Sequence, residues 1–561
     1  MPKVETIASL LRANWKSGLT VALISIPLST ALSVASGAGP LPGIITGIWA
    51  TLIAGCLGGS NYNIIGAAGA LTTVLFAATL AAPFGLGASV LPILALLTGA
   101  IILGVWAIGA DRFLYYIPSS VMYGFAGGVA FLIAASQLFD ATGLSALKRT
   151  GTFLGDIALF AENASAIHFP TVAVFGLFIA GILLWKRLVP YIPAVIPAAI
   201  VGIIVGASES AFFPIGLTTL GEKFGSVVAT FMLPVVWDAI PLLFANSEAL
   251  RWLLGASGTI ALIAVLETLI TAQIADRITK TQHGSRRELL GLGLANLGSG
   301  AMGGLPATGV FIRTGANVKA GATHKTSAII ASVCTAVISL LALPFFSYIP
   351  MAVIAAILCN TALGLIEVHT FVEFFKREKQ SFAIAIIVLL VTVLEDAGIA
   401  VAVGAVLALL LFADRVSRGY FDVVFNYVDG THTEERQAKV LSVPADVELT
   451  FITYSIAGFL GYIDSTRHAA NFRHLTRAKN VPTVVIRLRN LFTMDFEGEE
   501  MLATAIADLQ SAGKEVYLTS VNESLRTRLI KFPAIARLHV EGRILGKAQD
   551  AVTLITGSQR V

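Results

Sequence analysis

Residues 17–76 read SGLTVALISIPLSTALSVASGAGPLPGIITGIWATLIAGCLGGSNYNIIGAAGALTTVLF and contain no Asp, Glu, Lys or Arg. The charge-free run continues to residue 110. One membrane-spanning helix uses about 20 apolar residues, so this run alone supplies three or four. Near its middle it is broken by Gly58-Gly59-Ser60-Asn61-Tyr62-Asn63, before Ile64-Ile65-Gly66-Ala67-Ala68-Gly69-Ala70-Leu71-Thr72-Thr73 resumes. Backbone inside hydrocarbon must satisfy itself, so irregular sequence at that depth lines a cavity or is buried in protein.

The rest of the chain extends this reading. Of 561 residues, 56% are hydrophobic and 13% charged, about half the charge density of a soluble domain. Residues 1–435 hold 22 acidic and 22 basic residues, whereas 436–561 hold 12 and 16, so the net charge of +4 lies in the last quarter. That excludes a soluble enzyme, a disulfide scaffold and a nucleic-acid binder for most of the chain. Cys56, Cys334 and Cys359 all sit in apolar stretches and read as buried small hydrophobes. The apolar run after Lys16 is far longer than a signal-peptide core of about 7–15 residues, and is expected to remain as the first span.

Further charge-poor runs occupy 113–139, 163–185, 188–208, 252–266, 289–312, 326–366, 380–394 and 397–413, giving roughly 12 to 14 helices in all. Basic residues mark one side of the membrane: Lys3, Arg12 and Lys16; Lys186 and Arg187; Arg277, Lys280, Arg286 and Arg287; Lys376, Arg377 and Lys379; Arg415 and Arg418. The segment 208–250, with Glu209, Glu222, Asp238 and Glu248 against Lys223, reads as external. Lys148 and Arg149 run against this bias, whose sum still puts both termini in the cytoplasm. From about residue 436 strand-like 447–452, 481–488 and 516–518 alternate with helical 497–512 and 523–531, a small α/β domain. It has no P-loop and no dinucleotide fingerprint, which favours docking or regulation over catalysis.

Three features carry possible chemistry. The break at 58–73 has a counterpart in the second half, Gly303-Gly304-Leu305-Pro306-Ala307-Thr308-Gly309-Val310-Phe311-Ile312-Arg313-Thr314. Paired interruptions at matching places point to a transporter site built from inverted repeats, where half-helix N-termini aim free N–H groups at an anion. The alternative is close helix packing through the small pairs Gly55/Gly59 and Gly300/Gly304. Glu267 is the second feature, a carboxylate in the otherwise uncharged run 253–274. It reads as a proton carrier, as a cation ligand together with Thr271 one turn on, or as a structural hydrogen-bonding group. Arg313 is the third, and could face an anion, pair with Glu267 or snorkel. Glu395 and Asp396 read as a solvated loop. His168, His283, His324 and His369 show no metal-ligand spacing and read as surface residues, so no metal site and no cofactor is expected.

Several stretches together resemble the SulP anion permeases: Gly18 to Gly37, Tyr116 to Phe125, Glu267-Thr268-Leu269, Arg313 to Gly321, and a tail similar to the STAS domain through Val484 to Leu488 and Met494-Asp495-Phe496-Glu497-Gly498. The likeness implies a polytopic α-helical membrane protein with 14 segments in 7+7 inverted repeats, divided into core and gate domains, plus a small α/β STAS domain. The expected organisation is a cytoplasmic N-terminus at 1–16, a transport domain at 17–418, a linker at 419–441 and a cytoplasmic STAS domain at 442–561. It implies a homodimer in the plasma (inner) membrane that moves a small anion. Bicarbonate or sulfate is favoured and a dicarboxylate is a further candidate, by elevator-type alternation coupled to H⁺ or Na⁺. The implied substrate positions are Ala68, Gly69 and Ala70 on the third helix and Gly309, Val310 and Phe311 on the tenth; Glu267 and Thr271 match the coupling pair of the eighth.

Three departures stand out. Ala67-Ala68 replaces a common Pro-Thr, leaving backbone N–H groups or Thr72 to hold the anion. Sodium-coupled bicarbonate members carry Asp where this chain has Glu267. Phe496 stands where STAS regulators carry a phosphorylated serine, which rules out a phosphoswitch there. An uncoupled exchanger or channel, and an anion sensor signalling through the tail, stay open as alternatives.

Overall fold

The computed structural model describes residues 7–109, 118–212, 215–225, 230–395, 397–417, 420–438, 441–444 and 447–558. Tyr116, Ile117, Asp396, Lys3 and Arg418 lie outside them. By contact the chain divides into two compact units, Met1–Ala408 and Leu409–Val561.

The first unit is built on fourteen principal helices among the described residues, the last of which runs on past the boundary. They are α1 (Ile7–Ala35), α2 (Pro40–Leu57), α3 (Gly69–Leu80), α4 (Leu91–Ala107), α5 (Ser119–Ser136), α6 (Phe169–Leu188) and α7 (Val195–Ala211), then α8 (Ser247–Thr279), α9 (Ser285–Ala301), α10 (Phe311–Lys319), α11 (Thr326–Phe346), α12 (Met351–Leu365), α13 (Lys379–Leu394) and α14 (Ala397–Ser417). Eight of the described helices are long and apolar enough to cross a membrane. In each series of seven the third helix is short and follows a two-residue strand, β1 (Ile65–Gly66) before α3 and β2 (Thr308–Gly309) before α10. The two strands pair antiparallel, Ile65 opposite Gly309 and Gly66 opposite Thr308, as two inverted repeats meeting at their breaks require.

Packing sorts these helices into two bundles. In one, α4 and α2 pack on α9, α1 and α2 pack on α11, and α8 packs on α4. In the other, α13 and α12 pack on α5, and α6 packs on α12; Gly404 of α14 lies against Val388 and Val121. Small residues set these approaches, because lipid offers no hydrophobic drive between helices and close van der Waals contact must supply it. A Cβ on Gly99 of α4 would lie 2.7 Å from the Gly293 carbonyl oxygen of α9. The small-pair reading of the two breaks holds in part, since a Cβ on Gly59 would lie 3.0 Å from the Glu288 nitrogen at the start of α9. Gly55 and Gly300 do pack on neighbouring helices, but Gly59 and Gly304 lie beyond the ends of α2 and α9. Lys148 and Arg149 lie between α5 and α6; Arg149 is neutralised by Asp156 at 3.0 Å and stacks on the Phe76 ring of α3 at 4.1 Å.

The second unit is a six-stranded sheet in the order β4-β3-β5-β6-β7-β8, with β3 (Tyr420–Tyr427), β4 (His432–Ala438), β5 (Leu449–Leu460), β6 (Thr483–Met494), β7 (Glu515–Thr519) and β8 (Ile544–Leu545). The strands from β5 to β8 pair parallel, and β3 pairs antiparallel with both β4 and β5. Residues 420–438, expected as linker, therefore supply a hairpin of the sheet. The burial of β3 alternates, whereas β5 is buried almost throughout. Helices α15 (Tyr462–Arg477), α16 (Phe496–Ser511), α17 (Glu523–Leu529), α18 (Pro533–Val540) and α19 (Ala548–Ser558) complete it. Asp495 caps α16 by accepting from the Gly498 N–H at 2.8 Å, which leaves Phe496 68% exposed in its first turn.

A polar chain crosses this core. The Tyr454 hydroxyl meets His468 Nδ1 at 2.8 Å, Asn471 donates to that hydroxyl at 2.9 Å, and His468 Nε2 faces Asp464 at 3.2 Å. That geometry assigns the proton to Nε2. Burial pushes the Tyr454 phenol above its ordinary range, so it stays a neutral donor. Nearby, Lys514 Nζ donates to the Ala478 and Val481 carbonyls at 2.5 and 2.6 Å, and burial holds it below the usual lysine range.

Two outcomes follow from this packing. Gly99→Val should destabilise the protein by about 1–3 kcal/mol through overpacking, seen as a lower melting temperature in detergent. Gly104→Val, on the same helix with nothing within 4 Å, should melt like the wild type. Lys514→Met should cost about 1–3 kcal/mol by leaving two carbonyls unmet, measured by proteolysis in a urea series. A lysine whose folded pKa is depressed binds its proton more weakly folded than unfolded. Its contribution to stability therefore rises with pH toward 10.5, and the gap between variant and wild type should widen in that direction.

Candidate functional site

Ala67 and Ala68 separate β1 from the start of α3, and Val310 alone separates β2 from the start of α10. Ala68 is the N-cap of α3 and Val310 that of α10; both are extended, and neither side chain accepts a hydrogen bond. A Ser, Thr, Asn or Asp at such a position would satisfy an N–H of the first turn. Alanine and valine leave those groups to the solvent or a ligand, so two partial positive charges lie together.

A dense set of hydrogen bonds holds this junction. Thr268 Oγ1 accepts from the Gly309 N–H at 2.8 Å and meets Thr308 Oγ1 at 3.0 Å; Thr308 donates to the Ala264 carbonyl at 2.8 Å. Thr51 donates to the Ile65 carbonyl at 2.6 Å, and the Val310 N–H to the Ile64 carbonyl at 2.9 Å. Asn63 lies between three elements. Its amide donates to Glu288 at 2.8 Å and to the Thr268 carbonyl at 3.3 Å, while its oxygen accepts from Thr314 at 3.1 Å. The second oxygen of Glu288 accepts from the Gly59 and Ser60 N–H groups at 2.7 and 2.8 Å. Glu288 and Asn63 are thus buried and fully engaged, and sequence reading passed both over. In the sequence Glu288 follows Arg286 and Arg287 and looks like loop charge, and Asn63 reads as part of a break rather than as its anchor.

A cavity of about 1350 Å³ opens beside the junction. Ala70 and Phe311 from the two helix starts, and Glu267 from α8, line it; Phe125 and Val129 of α5 and Asn360 of α12 face them from the other bundle. Lys16, Lys186, Arg277 and Lys319 also line it, with Glu367 and Glu373. Glu267 is 5% exposed, and its Oε2 has no hydrogen-bond partner.

The remaining expected residues lie behind this surface. Ala68, Gly69, Gly309 and Val310 are buried at the junction itself. The Thr72 hydroxyl donates to the Gly69 carbonyl at 2.7 Å, so its proton is already committed. Thr271 likewise turns back onto the Glu267 main-chain carbonyl at 2.7 Å instead of joining the carboxylate, because a helical threonine reaches the carbonyl one turn earlier. Arg313 neither snorkels nor pairs with Glu267. It is fully buried, donates to Ser29 Oγ at 2.8 Å and to the Ala67 carbonyl at 3.2 Å, and leaves Nε and a terminal nitrogen unpartnered. Among the histidines, His369 is exposed, but the His283 side chain is 5% exposed and sits 2.7 Å from Asp276. Among the described residues no group of three or more His, Cys, Asp or Glu is placed to hold a metal.

Comparison with known proteins agrees with this architecture. Residues 11–388 match the model of the sulfate permease family. The chain is 27% identical over 536 residues to a putative sulfate transporter, YvdB, of Bacillus subtilis, covering 93% of this chain and 94% of that protein. It is 27% identical over 423 residues to the bicarbonate transporter BicA of Picosynechococcus, covering 72% and 71%. Its fold matches the murine Solute Carrier 26 family member A9 anion transporter in the inward-facing state, with a TM-score of 0.78 at 14% identity over 99% of this chain and 92% of that one. The transmembrane domain of a cyanobacterial BicA matches with a TM-score of 0.61 at 22% identity over 71% and 97%. With two inverted series of seven helices, a junction of half-helices and a family model spanning most of the membrane unit, the chain belongs to the sulfate permease family, a family of transporters and not of enzymes.

Proposed function

We propose that the protein is a secondary active transporter of a small anion, with bicarbonate or sulfate favoured and a dicarboxylate as a further candidate. The observation that carries this reading is the convergence of two uncapped half-helix N-termini on a cavity that also holds Glu267 with an unpartnered oxygen. The N-termini supply N–H donors and positive potential without the strong hydration of a lysine. Arg313, buried behind Ala67, adds a fixed positive charge to the same region and has no carboxylate partner among the described residues. Names of relatives that specify sulfate and bicarbonate support the choice of anion.

Glu267 is the coupling group in this proposal, taking up H⁺ or Na⁺ as the cargo loads. The bundle that carries the junction moves against the bundle of α5 and α12 in an elevator-like cycle. The division of the helices into two packing groups with the cavity between them supports such a motion. We place the protein in the plasma (inner) membrane as a homodimer, with both termini and a regulatory STAS domain in the cytoplasm.

Glu267→Gln should abolish gradient-driven accumulation in proteoliposomes while leaving the melting temperature near the wild-type value; unchanged ion dependence would remove the coupling role. Arg313→Met should raise the half-saturating anion concentration severalfold, measured by uptake of radiolabelled bicarbonate and sulfate under imposed pH and Na⁺ gradients. Flux driven by voltage alone, with neither a coupling ion nor a counter-substrate, would replace this reading with that of a channel.

A further inference from the structure

Everything described so far at the junction belongs to one bundle. An anion held there also faces the opposite wall of the cavity, where both α5 and α12 come close to the helix starts; a Cβ on Gly69 would lie 3.1 Å from Ile133 Cδ1 of α5. A Cβ placed on Gly364 would lie 3.7 Å from Ile312 Cδ1 at the start of α10, and one placed on Gly69 at the start of α3 would lie 3.6 Å from Leu365 Cδ1. Asn360 is one turn before Gly364, on the same face of α12, about 6 Å along the axis. It lines the cavity and is 5% exposed, and its Oδ1 has no hydrogen-bond partner. Whichever way round the amide is set, one of its polar atoms is unmatched. The adjacent Thr361 behaves differently, its hydroxyl being satisfied by the Ile357 carbonyl at 2.9 Å. Buried polar groups are normally paired, and polar side chains retained inside a membrane bundle generally mark the path of a substrate.

We propose that Asn360 is the substrate-contacting residue of the second bundle and that it selects oxyanions over halides. The chemistry follows from shape. A halide is one atom, and N–H groups converging from the two helix starts can meet it from one side. A planar or tetrahedral oxyanion also carries oxygens that project away from those donors, and they need a donor on the far wall. The Asn360 amide has two N–H groups to offer. Because it sits on the bundle that does not carry the junction, its contact depends on where the two bundles stand relative to one another.

This assignment rests on the transport reading, and the experiment separates the two. The full-length protein is reconstituted in proteoliposomes, and uptake of radiolabelled sulfate, bicarbonate and chloride is measured for wild type and variants. Asn360→Ala should raise the KM for the transported oxyanion about tenfold, the value of one hydrogen bond to a charged group, and leave the chloride KM or inhibition constant nearly unchanged. Asn360→Ser, which keeps a donor, should recover part of the loss. The near-isosteric Asn360→Asp, which replaces the donors with negative charge, should lose oxyanion uptake while remaining monodisperse. An unchanged oxyanion KM in Asn360→Ala, an equal rise for chloride, or wild-type oxyanion uptake by Asn360→Asp would overturn the role of Asn360 and leave the transporter standing. Absence of flux for all three anions in the wild type would defeat the transport reading itself, and this assignment with it.

Discussion

Backbone N–H groups in a membrane interior have no water to turn to, so a helix that begins there must have its first turn met by protein or by something that visits. Among the described residues two such beginnings, at Gly69 and Phe311, are placed side by side. The β1–β2 pairing fixes their separation with two residues from each strand. The hydrogen bonds of Thr51, Thr268, Thr308, Thr314 and Asn63 consume the other polar groups of the two breaks. Among the unmet polar atoms that remain are Glu267 Oε2 and Asn360 Oδ1, both of residues that line the cavity.

Charge is handled by the same logic. Glu288 is surrounded by donors and acts as a strut, holding residues 59, 60 and 63 in place. Glu267, buried to the same degree, keeps an oxygen free and faces the cavity. Two carboxylates of one residue type thus differ in what they can do because one is saturated and the other is not. Arg313 is the converse case, a buried guanidinium that donates to a hydroxyl and a carbonyl and, among the described residues, has no carboxylate partner. A buried cation without a counter-charge is costly.

Much of this was legible in the residues. The absence of charge from 17–110 required several spans, and the two glycine-rich breaks marked where helices begin at depth. Glu267 stood out because nothing charged surrounds it. The tail showed its strands through short apolar runs such as Val484 to Ile486 and Val516 to Leu518. The hairpin at 420–438 escaped, since β4 is exposed along its described length and carries Glu434, Glu435 and Arg436, a pattern that reads equally well as linker. Thr271 and Thr72 were expected to offer hydroxyls to ligands, but a helical threonine can close onto the preceding turn, and spacing along the chain does not say which it does.

The sequence alone determined the solvent in which this protein folds, the existence of two interrupted spans and the presence of a lone intramembrane acid, because hydropathy and charge are properties of each residue wherever it ends up. Only the tertiary structure decided which polar groups are spent on one another and which are left facing the cavity. Asn63, Glu288, Arg313 and Asn360 differ in partners contributed by helices hundreds of residues away or by none at all, and that distinction exists only once the two halves of the chain have come together.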